Sequence, residues 1–379
     1  MALTLHDVQL VDPRRRMDLQ IEDGRIAAIT PTIRAGGSQP LIVVPGCVDL
    51  HVHGGGGASF DALEADEIRA AAAYHHRHGS TTMLASLVTA PVARLRRSCA
   101  LLGGLAGAGI VAGIHLEGPF LSARRCGAQD ARYIIPPDVE LLERLWQDAA
   151  GQIRMVTVAC EQPGATEVIR WCGEHGVLAA IGHTDADAET TRRAVDAGAR
   201  VATHLFNGMP PMHHRDPGPV GVLLADRRVT CELIFDGDHV AETVARIVVA
   251  AAGPQRVAAV TDAIAASGLP NGRYTLGGLD VMARSGVVRL AAGGALAGST
   301  TTMGESLRRV VKWGIALPDA VAMHSGTPAG LLGLHQDLER GDPADLVLLD
   351  GDLRVQGVLR AGVAVPGLPL SQELRGSHV

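Results

Sequence analysis

Hydrophobic and polar positions follow one habit at the two ends of the chain and another in its middle. Residues 1–40 alternate in short runs, TLHDVQLVD and DLQIEDGRIAAI, with Asp23-Gly24 as a tight hairpin signal. Residues 344–363, ADLVLLDGDLRVQGVLRAGV, return to the same short strands and glycine turns. Two strand-rich ends predict that the termini meet in one small β-domain, residues 1–44 and 336–379. Between them, apolar runs at 41–50, 81–88, 109–116, 153–160, 177–182, 200–203, 229–235 and 256–261 read as strands. They alternate with stretches such as 64–78, 91–106, 137–149, 165–175 and 186–197, which carry an apolar stripe at helical spacing. Residues 269–298 are glycine-rich and predict a hairpin insertion, and 302–313 and 319–332 predict two helices, with Pro328 at a start or a kink.

Eight strands is the count of a closed barrel. A doubly wound sheet would give the same alternation but would gather its ligand groups at one switch point. Here polar, ligand-type side chains follow strand after strand: His51 and His53, then His115 and Glu117, His183, His204, His239 and Asp262. Such a ring at C-terminal strand ends predicts an α/β fold, a (β/α)8 TIM-like barrel over 45–335, with a small β-sandwich formed by the N- and C-terminal segments.

Composition narrows the function. With 379 residues and 47% apolar content the chain can bury a large core. A formal net charge of -6 offers no concentrated basic face, so nucleic acid is not an expected partner. The N-terminus has neither a basic start leading into an apolar helix nor eighteen consecutive apolar residues, so a cytoplasmic protein without membrane contact is expected. Six cysteines without close pairing are read as reduced thiols.

The chemistry starts in LIVVPGCVDLHVHGGGG, residues 41–57. Period-two spacing sends His51 and His53 to the same side of a strand, and the four glycines after them are read as leaving room for a ligand. Imidazole and carboxylate suit a divalent ion such as zinc, iron, manganese or cobalt, one or two per subunit. Glu117, His183 and His204 form one ligand set; His51 and His53 form a second, with Glu117 and Asp262 placed to bridge or support. Asp262, in AVTDA, ends an apolar strand, where a carboxylate needs a metal, a donor or a proton. Its expected role is to accept a proton from water that the metal has acidified and pass it to a leaving nitrogen. Asn207-Gly208 and His239 are candidate substrate contacts, and Arg215, in the loop NGMPPMHHRDPG, offers a fork of donors suited to phosphate.

GIHLEGPF at 113–120, GHTDA at 182–186, THLFNGMP at 203–210, FDGDH at 235–239, VTDA at 260–263, LAGST at 296–300 and GDPADLVLLD at 341–350 together resemble the N-acetylglucosamine-6-phosphate deacetylase family of the amidohydrolase superfamily. The resemblance covers nearly the whole chain, in order. It implies a metal-dependent barrel, usually a homodimer, that removes acetyl from N-acetylglucosamine 6-phosphate. It further implies Glu117, His183 and His204 as principal metal ligands and Asp262 as catalytic acid and base. Gln129, Asn207, Gly208, His214 and His239 would be substrate contacts, and Arg215 would bind phosphate in the neighbouring subunit's site. Both His51 and His53 are present, as in members that hold two ions. In RRCGAQD at 124–130, Gln129 stands where the family commonly has histidine; it can donate a hydrogen bond but carries no proton or charge at neutral pH. Two alternatives follow: a deacetylase for a related N-acyl amino sugar, or a catalytically weak sugar-phosphate-binding protein. Dihydroorotase-like chemistry, which relies on a carboxylated lysine, is disfavoured because the only lysine is Lys312, beyond the eighth strand.

Overall fold

The alternating ends pair with each other. The computed structural model describes residues 2–11, 16–32 and 40–370. Strands β1 (Ala2–Gln9), β2 (Arg16–Glu22) and β3 (Arg25–Pro31) form an antiparallel meander. The β2–β3 turn is Asp23-Gly24, both at positive φ (48° and 76°), the conformation its sequence favours. The apolar run at 41–50, read as one strand, is two: β4 (Ile42–Pro45) joins the end-segment sheet and β5 (Cys47–Val52) starts the barrel. Both are wholly buried, so hydrophobicity alone gave no sign of the division at Gly46.

Seven parallel strands continue from β5: β6 (Ser80–Val88), β7 (Gly113–Glu117), β8 (Ile153–Val158), β9 (Leu178–Ile181), β10 (Val201–Ala202), β11 (Thr230–Ile234) and β12 (Val257–Val260). Their spatial order is their chain order. The sheet closes where Asp262 N donates to His51 O at 2.8 Å and His53 N to Ala263 O at 2.8 Å. This is the predicted (β/α)8 architecture. Helices lie between successive strands, among them α1 (Ala65–Arg77), α2 (Val92–Gly107) and α3 (Val139–Asp148). Asp138 caps α3 by accepting from Leu141 N, and Leu141, Leu142 and Leu145 form its buried stripe.

Within this barrel unit, α2 meets the end of α3 across Gly103. A Cβ there would stand 2.4 Å from Ala149 O and 2.9 Å from its Cα, and backbone cannot step aside as a flexible side chain can. Gly103→Ala is therefore expected to destabilise the protein by about 1–3 kcal/mol through overpacking, despite alanine's better helix propensity. A lowered denaturant midpoint checks it; a raised one would show that propensity outweighs the clash.

The insertion after the barrel is larger than a hairpin. Strands β13 (Gly272–Leu276), β14 (Leu279–Arg284), β15 (Val287–Leu290) and β16 (Leu296–Ser299) make a four-stranded antiparallel meander. Its apolar side, with Leu276, Val281, Ala283, Val288 and Ala297, packs with Val88, Ile264 and Ala266. Helix Met303–Lys312 follows, and then a run in which Leu317–Val321 passes through a π turn, Ala322–Gly326, into Thr327–Leu331. Pro328 stands in the first turn of that last segment, where its missing N–H and its ring are accommodated by the widened turn.

The chain ends with β17 (Leu346–Leu349), β18 (Val355–Arg360) and β19 (Val363–Ala364). They complete a mixed seven-stranded sheet in the order β19-β18-β17-β4-β1-β2-β3, so both chain ends contribute to it, as expected. Its core includes Leu3, Leu5, Leu19, Ile21, Ile26, Val43, Leu346 and Leu359. Internal contacts divide the chain into two compact units, Met1–Asp49 with Ala73–Thr82 and Thr302–Val379, and Leu50–Ala72 with Met83–Thr301. All six cysteines are free, five of them buried. Among the described residues no helix is long and apolar enough to cross a membrane.

Candidate metal centre

Five barrel strands deliver six donor residues to one place. β5 alternates, so His51 and His53 share a side, with their Nε2 atoms 3.1 Å apart. β7 ends in Glu117. His183, His204 and Asp262 each lie two residues beyond their strands β9, β10 and β12, and each has positive φ (45°, 26° and 48°). Non-glycine residues rarely adopt that conformation, and its recurrence at three points of the ring marks a geometry maintained for function.

The donors fall into two sets of three, all buried: His51, His53 and Asp262, and Glu117, His183 and His204. In the second set Glu117 Oε1 is 3.1 Å from His183 Nε2 and 3.0 Å from His204 Nε2, and those nitrogens are 3.1 Å apart. In the first set Asp262 Oδ1 is 3.2 Å from His53 Nε2 and 3.6 Å from His51 Nε2. Glu117 faces both, with Oε1 3.3 Å from His51 Nε2 and Oε2 3.2 Å from His53 Nε2.

These separations test whether a cation fits. Ligands about 2.0–2.1 Å from a tetrahedral ion stand about 3.3–3.4 Å apart, and the separations within the two sets run from 3.0 to 3.6 Å, around that value. Three of the four outer nitrogens are engaged too, His204 Nδ1 being buried without a hydrogen-bond partner: His51 Nδ1 lies 3.2 Å from Glu232 Oε2, His53 Nδ1 3.2 Å from Ser86 O, and His183 Nδ1 2.8 Å from Arg125 O. Occupied Nδ1 atoms leave Nε2 lone pairs turned inward, the arrangement of metal-binding histidines. Glycine at 208 keeps one of these contacts possible. Its φ is 62°, and a Cβ would stand 2.9 Å from His183 Nδ1.

The charges agree with a cation site. Burial alone would raise the Glu117 carboxyl, but His51, His183 and His204 hold it well below the ordinary range. Burial likewise opposes charge on His53, yet Asp262 and Glu117 hold it up to about 9. Where no cation is bound, this field retains protons on imidazole; a divalent ion displaces them, so its uptake strengthens as pH rises. Asp262 is raised by burial but lowered overall by His51 and His53, so it is ionised near neutrality.

A cavity of about 240 Å³ opens over the donors, lined by His53, Glu117, Gln129, His183, His204, Asn207, Gly208, His239 and Asp262, with Leu276, Ala295, Leu296 and Gly298 along an apolar wall. The volume lies below the range of drug-sized pockets, which suits one small ligand. Gln129 is fixed at both ends: its Oε1 accepts from Thr89 N at 2.7 Å and its Nε2 donates to Glu117 Oε2 at 2.6 Å. His239 Nδ1 meets Asp236 Oδ2 at 2.6 Å. Burial lowers His239, but Asp236 together with the nearby Asp262 and Asp238 carboxylates raises it overall.

His214 and Arg215 lie on an exposed loop away from this chain's own cavity, where Arg215 N donates to His213 Nδ1 at 3.3 Å; the expected place of Arg215 is a neighbouring subunit's site. Two other sequence expectations are corrected. His115 is no donor, because it lies one alternation below Glu117 and its nitrogens meet Ser86 Oγ at 2.9 Å and Thr157 Oγ1 at 2.8 Å. Gly54–Gly57 do not line the cavity: Gly54 and Gly55 pair with Ser59 and Ala58, and a Cβ on Gly54 would meet Ala58 O at 2.3 Å. Sequence reading missed Glu232, whose signal is a single carboxylate inside the apolar strand TCELI, and the wall from the insertion, whose distance along the chain hides it.

Residues 42–366 match the model of the amidohydrolase family. The chain is 34% identical to N-acetylglucosamine-6-phosphate deacetylase of Lysinibacillus sphaericus, over 96% of this chain and 97% of that one. It is 35% identical to N-acetylgalactosamine-6-phosphate deacetylase of Escherichia coli O157:H7, over 90% and 92%. Among solved structures, a mutant N-acetyl-D-glucosamine-6-phosphate deacetylase from Mycobacterium smegmatis, in complex with N-acetyl-D-glucosamine-6-phosphate, superposes with a TM-score of 0.90 at 43% identity, over 96% of this chain and 99% of that one. With its donor ring, its cavity and these relatives, the chain belongs to the amidohydrolase family and is closely related to its N-acetylglucosamine-6-phosphate deacetylases.

Proposed function

We propose that this protein hydrolyses the acetamide of N-acetylglucosamine 6-phosphate to glucosamine 6-phosphate and acetate. The observation that carries the reading is the meeting of both donor sets with Asp262, Asn207 and His239 at one small cavity, in a chain whose relatives perform this deacetylation. A bound divalent cation supplies Lewis acidity to the amide carbonyl and acidifies the attacking water. His51, His53, Glu117, His183 and His204, with Asp262, would hold it; zinc is the ion we assign, since imidazole nitrogen and carboxylate oxygen suit it.

The chain's own residues do the rest. Asp262, ionised and at the cavity floor, takes a proton from the water as oxygen attacks the carbonyl carbon. It returns that proton to the nitrogen as the C–N bond breaks, so glucosamine leaves as a neutral amine rather than an anion. His239, held at Nδ1 by Asp236, has Nε2 available for a substrate oxygen. Asn207 donates through Nδ2 to His204 O at 3.2 Å, leaving Oδ1 to accept from a sugar hydroxyl. Gln129 keeps Glu117 Oε2 oriented, a task an amide performs without changing charge.

Among the described residues that line the cavity there is neither lysine nor arginine. A phosphate dianion therefore needs a cation from elsewhere, which supports a homodimer in which Arg215, with His214 beside it, reaches the neighbouring site. Arg215→Ala is expected to raise KM for the phosphorylated sugar by about 10–100-fold, as loss of a charged hydrogen-bond pair does, while kcat changes little. Initial-rate kinetics check it, and an unchanged KM would remove Arg215 from phosphate binding. A cytoplasmic site of action is supported by the six free cysteines.

A second reading, the galactosamine epimer as substrate, is favoured by the comparable likeness to the Escherichia coli enzyme. Acetate release by zinc-loaded protein from the 6-phosphates of N-acetylglucosamine and N-acetylgalactosamine, and from unphosphorylated N-acetylglucosamine, separates the readings. Fastest turnover of N-acetylglucosamine 6-phosphate is the expected result; faster turnover of its epimer would replace it.

A further inference from the structure

Glu232 has no part in the reaction just described, yet it is fully buried in β11 behind the donor ring. One oxygen, Oε2, meets two groups: His51 Nδ1 at 3.2 Å and the main-chain N–H of His204 at 3.2 Å. The other, Oε1, is buried with no hydrogen-bond partner. Among the described residues its single ion-pair partner is His51. A carboxylate held this way costs several kcal/mol unless positive charge stands nearby, and leucine or valine would serve packing alone better.

The geometry says where that charge belongs. His51 lies between Glu232 at Nδ1 and Glu117, His53 and Asp262 at Nε2. A neutral imidazole donates from one nitrogen and offers a lone pair from the other. With the proton on Nδ1 toward Glu232, the Nε2 lone pair must face the first donor set. Glu117, Asp262 and Glu232 together place three carboxylates against two dications, close to neutrality for a buried cluster. Without Glu232 the same pair of ions would leave an excess of two positive charges.

We propose that Glu232 is the positioning residue of the first donor set: it holds His51 as a ligand through Nε2 and its charge favours occupancy of the His51, His53 and Asp262 set. The proposal rests on the reading of the two donor sets as metal sites. At His204 the contact is to a main-chain N–H, which a neutral amide oxygen accepts equally well. The second set therefore depends much less on the charge.

The test uses full-length protein stripped of metal and titrated with Zn²⁺, with bound ions counted by elemental analysis and affinities measured by competition with a chromophoric chelator. Wild type is expected to bind two ions. Glu232→Gln is expected to bind one as wild type does and the other about 10–100-fold more weakly, the effect of losing an outer partner of a metal-bound histidine. Glu232→Gln matching wild type in number and affinity of ions overturns the proposal, as does a single wild-type ion that the substitution leaves unchanged. Wild type binding no ion overturns the metal reading itself. Should Glu232→Gln fail to fold, ¹⁵N spectra of histidine-labelled, zinc-loaded wild type decide the matter: a proton on His51 Nδ1 is expected, and its absence overturns the assignment.

Discussion

Asp262→Asn is expected to lower kcat by about 10³–10⁴-fold, the upper range for a general acid–base residue, since the group is used twice in one turnover. The backbone should tolerate the change: asparagine is among the residues that accept left-handed φ, and Asp262 sits at 48°. Its main-chain bonds, from Asp262 N to His51 O and from Ser299 N to Asp262 O, both 2.8 Å, do not involve the side chain. An amide lacks the basicity to take a proton from water, while its oxygen still reaches toward His53. Circular dichroism near wild type, with an ion still held by the Glu117, His183 and His204 set, acetate release nearly lost and KM little altered, is the predicted pattern. Activity within tenfold of wild type would move the acid–base role to another residue.

Glu117→Gln should act one step earlier, on the cations. Glu117 is the one donor that faces every imidazole of both sets. Replacing it with an amide keeps the volume and removes the charge at the centre of the ring. Metal affinity should fall by at least about 100-fold, more than for loss of an outer partner, and turnover should fall with it. Because a ligand that binds only the native state stabilises it by mass action, the variant's melting temperature should also lose its dependence on added Zn²⁺. Melting curves with and without Zn²⁺ read this directly, and a wild-type response to the ion would show that Glu117 is dispensable for binding. In the wild type Zn²⁺ uptake should weaken as pH falls, because protons compete for His53.

The barrel and its donor ring were legible because they depend on period and order. Strand-length apolar runs ending in His183, His204 and Asp262 keep their meaning in one dimension, since a barrel strand delivers its C-terminal end to a common mouth. What failed depends on depth or partner. His51 and His115 are both inward-facing histidines on barrel strands, but only the tier at which each lies separates a ligand from a hydrogen-bonded core residue. Gly54 read as open space because glycine has no side chain; its role is to let two backbones approach. The run at 41–50 hid a change of sheet, since both pieces are equally buried.

The seven-stranded sheet carries a consequence for synthesis. β4 lies between β1 and β17 in space, yet β17 is made about 300 residues after it. At about 5–20 residues per second the wait is roughly 15–60 s. Throughout it, the apolar edge IVVP on the newly made chain has no strand to cover one side, the kind of edge that recruits other chains. A translating ribosome therefore holds a vulnerable segment at 42–45 until 346–349 has been made. Premature termination anywhere in the barrel would leave that segment uncovered permanently, giving chaperones and proteases their handle far in sequence from the strand that is missing.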